Sequence, residues 1–213
     1  MRVGIICEGS TDFAVIEALA LDLLPADECV QLHPDFDRLR STGDPAHAPG
    51  WQGVRTFLQT SGPALALPVY DVIVIQIDAS IRKLKELRLP RTDDVGPVSL
   101  EPLYEHVASW ATGGLPASAV ITLPREELEA WLVAANTNVK DVEALEDPAG
   151  ELVSHGLIGI RKNKPDKDAQ IYRKLVVPLV RLARDPKKVR KVPELERFVG
   201  KLRIRAREVR SEK

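Results

Sequence analysis

Cysteine, methionine and aromatic residues are what this 213-residue chain has least of: two Cys, one Met and an aromatic share of 5%. Cys7 and Cys29 give neither zinc-ligand spacing nor a disulfide framework, which favours a reducing compartment. Cys7 lies inside an apolar run and reads as a buried thiol. No apolar run approaches the length of a membrane span. The first such run, Val3 to Cys7, is far too short for a signal peptide. The expectation is a cytoplasmic protein without a membrane role. The four histidines, His33, His47, His106 and His155, lack metal-ligand spacing, and no internal repeat or low-complexity tract is present.

What is there is an ordinary globular composition, 44% apolar, in a length that suits one large domain or one domain with a small appendage. The net charge of −1 hides an asymmetry. Residues 151–213 hold 19 Lys+Arg against 8 Asp+Glu, while residues 1–150 hold 11 against 23. An acidic N-terminal part suits a divalent cation; a basic C-terminal part suits a polyanion such as nucleic acid. Mutual attraction between the two parts, or a merely solvated basic face, accounts for the same numbers.

Arg2 to Cys7 is nearly all apolar and reads as a central strand buried on both faces. Ser10 or Thr11 is placed to cap the next helix, and Asp12 sits in its first turn, where the dipole favours an acid. Pro25 ends that helix. Cys29 to Leu32 reads as a short strand, and 33–50, with three prolines and two glycines, as a long loop. Trp51 to Thr60 reads as a helix, Tyr70 to Ile77 as the clearest strand, Leu100 to Ala111 as a helix and Ser118 to Leu123 as a strand. Pro124 then stands at a favoured first helical position. This alternation predicts an α/β fold: a Rossmann-like, mostly parallel sheet covered by helices. Residues 1–150 form its body, and 151–213 a basic, mainly helical extension packed on the same domain. Pro178 is expected to kink a helix there.

Glu8 and Asp78 each follow the C-terminal end of an apolar strand, where open parallel sheets bind ligands. Buried carboxylates are costly unless paired or bound to a cation, and hard cations such as magnesium take oxygen ligands. Backbone capping by both acids is the plainer alternative. Gly9-Ser10-Thr11 is no phosphate loop, because the downstream Gly-Lys-Ser/Thr is missing.

Val3-Gly-Ile-Ile-Cys-Glu-Gly-Ser-Thr-Asp12 resembles the first motif of Toprim domains, as found in topoisomerases, primases and the overcoming-lysogenization-defect nucleases. Ile75-Gln-Ile-Asp-Ala-Ser80 resembles the second. The order of elements over roughly 1–175 is similar to that of small bacterial Toprim-like proteins regarded as phage-defence partners of ATPases. In these a helix like 124–132 follows the third strand and a lysine-containing segment like 162–167 comes later.

The resemblance implies a magnesium- or manganese-dependent nuclease acting on DNA or RNA. Glu8, Asp78 and Glu129 would be its catalytic residues. Glu8, Asp78, Ser80 and Glu127 would be the metal ligands. On one helix Glu127 and Glu129 project about 200° apart and would not serve the same ion. Ser80 stands where the family has a second aspartate; a serine brings no charge, unless Asp93 or Asp94 substitutes. The alternative is therefore a catalytically degenerate binding subunit of an ATPase complex. A third reading, a nucleotide-binding regulatory domain, lacks its glycine-rich turn. Arg161, Lys162, Lys164 and Lys167 are the candidate phosphate contacts, with Tyr172 placed to stack on a base. The Lys187 to Lys191 run reads as a solvated face. A homodimer is the default expectation for a small protein of this kind.

Overall fold

The computed structural model describes residues 1–65, 69–87 and 99–211, with side chains at all of these except 62–65. Asp93 and Asp94 lie outside the described residues. Four strands, β1 (Arg2–Ile6), β2 (Glu28–His33), β3 (Val72–Gln76) and β4 (Ala119–Thr122), form one sheet in the order β2-β1-β3-β4. Every pairing is parallel. The chain leaves β1 toward β2 on one side and later returns to place β3 on the other. β1 and β3 therefore flank the point where the winding reverses.

Alternation along the strands sends apolar side chains to both faces. Val3, Ile5, Val72 and Val74 face one layer: α1 (Ser10–Leu23), α5 (Glu129–Asn136), α7 (Ala169–Arg184) and α9 (Pro193–Ser211). Ile6, Ile73 and Ile75 face the other: α3 (Trp51–Leu65) and α4 (Glu101–Ser109). Burying each of these branched side chains contributes roughly 1.5–3 kcal/mol, which explains why both central strands read as apolar runs apart from Gln76 in β3. The sheet is thus parallel and covered on both faces. Two short helices, α6 (Pro148–Ser154) and α8 (Pro186–Val189), complete the helical part, and α2 (Phe36–Thr42) lies in the segment after β2.

Three local expectations change. The loop expected over 33–50 contains α2, begun by Asp35, whose carboxylate accepts from the Arg38 N–H at 2.9 Å. Gly43 ends it in the left-handed region at φ 67°. Helix α1 starts on Gly9 without a side-chain cap, so neither Ser10 nor Thr11 plays that part. Pro124 does not open α5, which begins only at Glu129. Residues 124–128 are instead clamped to the end of β3. The Pro124 carbonyl accepts the Ala79 N–H at 2.7 Å, the Glu126 carbonyl accepts the Ser80 N–H at 3.3 Å, and Asp78 accepts the Leu128 N–H at 3.1 Å. Tertiary hydrogen bonds hold the backbone off the helical path that the proline alone would favour.

The basic C-terminal part shares the first layer's core: Tyr172, Leu175, Leu179, Phe198 and Leu202 pack with Val3 and Ile16. A boundary at residue 150 falls inside α6. Among the described residues no helix is long and apolar enough to cross a membrane.

Candidate functional site

Glu8 and Asp78 emerge side by side because β1 and β3 pair in register, Ile6 opposite Ile75. The Glu8 carboxylate accepts the Asp78 N–H at 2.7 Å. Between them lies Gln76, fully buried in an otherwise apolar strand. Its amide oxygen accepts the Glu8 N–H at 3.3 Å, and its amide nitrogen donates to Asp78 at 2.9 Å. Gln76 thus ties the two strand ends together, and the sequence reading passed over it. The visible signal was one polar residue closing the run Val72–Gln76.

Two more carboxylates join them. Asp12, on the first turn of α1, is almost wholly buried, its Oδ2 lying over Gly9. A Cβ on Gly9 would stand 3.1 Å from that oxygen, so the tight strand-to-helix turn leaves little room for any larger residue. Glu129, at the start of α5, is 2% exposed. Its Oε1 accepts from the Tyr172 hydroxyl at 2.6 Å and pairs with the Lys167 ammonium at 2.9 Å. Its Oε2 is buried without a hydrogen-bond partner.

The electrostatics follow from four acids and one lysine. Burial pushes the Glu8 carboxyl up to about 7, offset in part by the backbone N–H groups of Asp78 and Trp51. Burial, then the neighbouring Glu129 and Glu8, holds Asp12 well above the usual carboxylate range. Burial, then Glu8, Asp12 and Glu129, does the same to Asp78. Glu8 and Asp78 each keep some exposed surface. Their carboxyl groups are nonetheless hemmed in by protein, and it is that enclosure which penalises charge. Burial alone would lower the Lys167 ammonium, but Glu129, Glu127 and Asp78 together outweigh it and hold the lysine above its ordinary value. Burial and then Glu129 push the Tyr172 phenol up, so it serves as a proton donor to the carboxylate.

The structure therefore brings Glu8, Asp78, Glu129, Lys167 and Tyr172 into one neighbourhood. Glu127 joins its margin, 3.5 Å from Lys167. Helical geometry does not keep Glu127 and Glu129 apart as expected, because Glu127 precedes the helix and Lys167 bridges both. Tyr172 is completely buried, so its ring is closed to a stacking base; that expectation is corrected. Lys167 pairs with Glu129 and Glu127 while its side chain stays partly open to solvent. Ser80 is half-buried in the turn after Asp78.

Arg161, Lys162 and Lys164 lie on an exposed hairpin, β5 (Ile160–Arg161) and β6 (Lys164–Pro165). Lys162 and Asn163 form its two-residue turn with φ of 52° and 61°, the left-handed pair such a tight hairpin requires. Lys167 follows directly, so the hairpin is anchored beside the acids.

The sequence reading also missed Glu126. It is buried and ion-paired to Arg82 and to Lys83, which locks the 124–128 segment over the turn after Asp78. His33 is fully buried against Phe57, with neither ring nitrogen in a hydrogen bond among the described residues.

An all-oxygen donor set with an orphaned buried carboxylate oxygen fits a hard divalent cation. Among the described residues, however, no three or more His, Cys, Asp or Glu side chains are already gathered into a metal-holding group. Glu8 and Asp78 instead spend carboxylate oxygens on backbone N–H groups and Gln76. Comparison with protein-family models, with curated proteins and with solved structures finds no match to this chain.

Proposed function

We propose that this protein is a Toprim-like, magnesium- or manganese-dependent nuclease. The observation that carries the reading is the convergence of Glu8, Asp12, Asp78 and Glu129 at the reversal point of the sheet. They share one lysine, and one buried Glu129 oxygen has no partner. Such a group is short of positive charge, and buried anions are retained where a cation repays their desolvation. Glu8, Asp78 and Glu129 would hold the ion, with Ser80 and Glu127 at the margin. A bound divalent cation supplies charge neutralisation at a phosphate and lowers the pKa of a water ligand.

The chain's own residues do the rest. Glu8, raised to about 7, stands near the pKa suited to taking up or releasing a proton at neutral pH. Lys167 and Tyr172 fix Glu129 Oε1 from one side. Arg161, Lys162 and Lys164 offer phosphate contacts next to the acids. A role in phage defence with an ATPase partner follows from the resemblance alone.

Ser80 favours a second reading, a binding subunit whose metal site has lost a charge. Incubation with supercoiled plasmid and with single-stranded RNA, in magnesium and in manganese, separates the two. The nuclease reading expects cleavage that is lost in folded Glu8→Gln and Asp78→Asn variants. Nucleic-acid binding without cleavage in either metal leaves the binding subunit standing and removes the nuclease.

A further inference from the structure

Next to Glu8, the start of α3 lines a hollow of about 560 Å³. That volume lies within the range of small-ligand sites. The Glu8 carbonyl accepts the Gly50 N–H at 2.8 Å, and the Trp51 N–H faces the Glu8 carboxylate. The hollow therefore opens within one residue of the candidate site. Trp51, Gln52, Arg55 and Gln59 recur at helical spacing and form one wall; Pro49 and Glu86 contribute to the others. Gly53 holds the wall close: a Cβ there would meet the Ala48 carbonyl oxygen at 1.8 Å. The half-buried Trp51 indole packs on Trp110, ring centroids 6.2 Å apart, and Arg55 lies over Trp110 at 6.0 Å.

An indole backed by a second indole gives a rigid apolar platform. Two amide side chains and a guanidinium around it match the polar edges of a planar heterocycle. We infer that this hollow seats an unpaired nucleobase next to the candidate site, so that the substrate is single-stranded or locally opened nucleic acid. Stacking on tryptophan requires a base freed from its partner, because a paired base hides its face in the duplex. The inference rests on the nuclease reading for the role of its neighbour Glu8, but the binding it describes needs no metal.

The test is binding by the full-length protein in EDTA. It uses end-labelled oligothymidylate, oligouridylate and a duplex of equal length, read by fluorescence anisotropy. Single strands are expected to bind at least about tenfold tighter than duplex, and Trp51→Ala to cost about tenfold on the single strands alone. Trp51→Phe, which keeps a ring, should stay close to wild type. Arg55→Ala, at an exposed position, should weaken binding with unchanged melting and carries the test if Trp51→Ala misfolds. The tighter of the DNA and RNA arms names the natural strand. Equal binding of duplex and single strand overturns the proposal, as does wild-type affinity in folded Trp51→Ala or Arg55→Ala, or no single-strand binding. A protein that cuts in magnesium but ignores Trp51 keeps the metal site and loses this one.

Discussion

The acidic crevice and the basic C-terminal part carry opposite charge, but they differ more in solvent than in sign. Asp12 and Glu129 are buried, and the carboxyl groups of Glu8 and Asp78 are enclosed. Arg161, Lys162 and Lys164 are exposed on their hairpin. Charges of the second kind interact through water, are screened within ~10 Å at 0.1 M salt, and contribute little to stability. Charges of the first kind are penalised by desolvation and by one another, and they respond to protons or a cation. The two regions are not separate bodies, because Lys167 and Tyr172 cross from the basic part to hold Glu129. The charge asymmetry of the sequence is thus partly spent inside the molecule.

The largest effect should come from cutting that crossing. Tyr172→Ala removes a fully buried ring and one partner of Glu129. It is expected to cost about 3–5 kcal/mol in denaturant unfolding. Tyr172→Phe loses the hydroxyl alone and should cost about 1–3 kcal/mol. A near-neutral Tyr172→Ala would mean that the two regions stand independently.

The next test uses pH. Glu8 has its carboxyl raised in the folded state from 4.5 to about 7. Between those values the folded protein binds a proton that the unfolded chain does not. Stability is therefore full below the unfolded value and falls as pH rises through about 7, by at most about 1.4 kcal/mol per pH unit for this group. Asp12 and Asp78, also raised, act in the same direction, whereas buried His33, lowered to about 4, acts against them below about 6.5. Chemical denaturation across this window without divalent metal should show the decline, and saturating manganese should flatten it. A metal-free Glu8→Gln variant whose stability declines with pH as steeply as the wild type would contradict this picture of the crevice.

The smallest effect on folding belongs to the exposed side. Arg161→Gln, Lys162→Gln and Lys164→Gln combined should leave unfolding within about 0.5 kcal/mol of wild type. The same substitutions should make the salt dependence of nucleic-acid binding shallower by about two to three units of log–log slope. An unchanged slope would remove the hairpin from the nucleic-acid interface.

Strand ends were the legible part of this molecule. Apolar runs before Glu8 and Asp78, the second interrupted only by Gln76, mark central parallel strands, and their acids had to meet once β1 and β3 paired. Asp12 was read only as a helix-dipole acid, because nothing in linear sequence says which way the first turn of α1 faces. The start of α5 was misplaced because the clamp on 124–128 consists of hydrogen bonds to residues 78–80, more than forty positions away. Tyr172 looked like a surface aromatic among lysines. Its burial depends on how α7 docks on α1 and α5, which no local pattern encodes.

The central claim, that Glu8, Asp78 and Glu129 at the sheet's reversal point take up a divalent cation, is met most directly by calorimetric titration. Manganese and magnesium would be added to the wild type and to the folded Glu8→Gln, Asp78→Asn double variant. The account predicts saturable binding by the wild type near pH 7, with protons released as raised carboxyls ionise, and none by the variant. A folded wild type that takes up neither ion, or a double variant that binds as well, would contradict it.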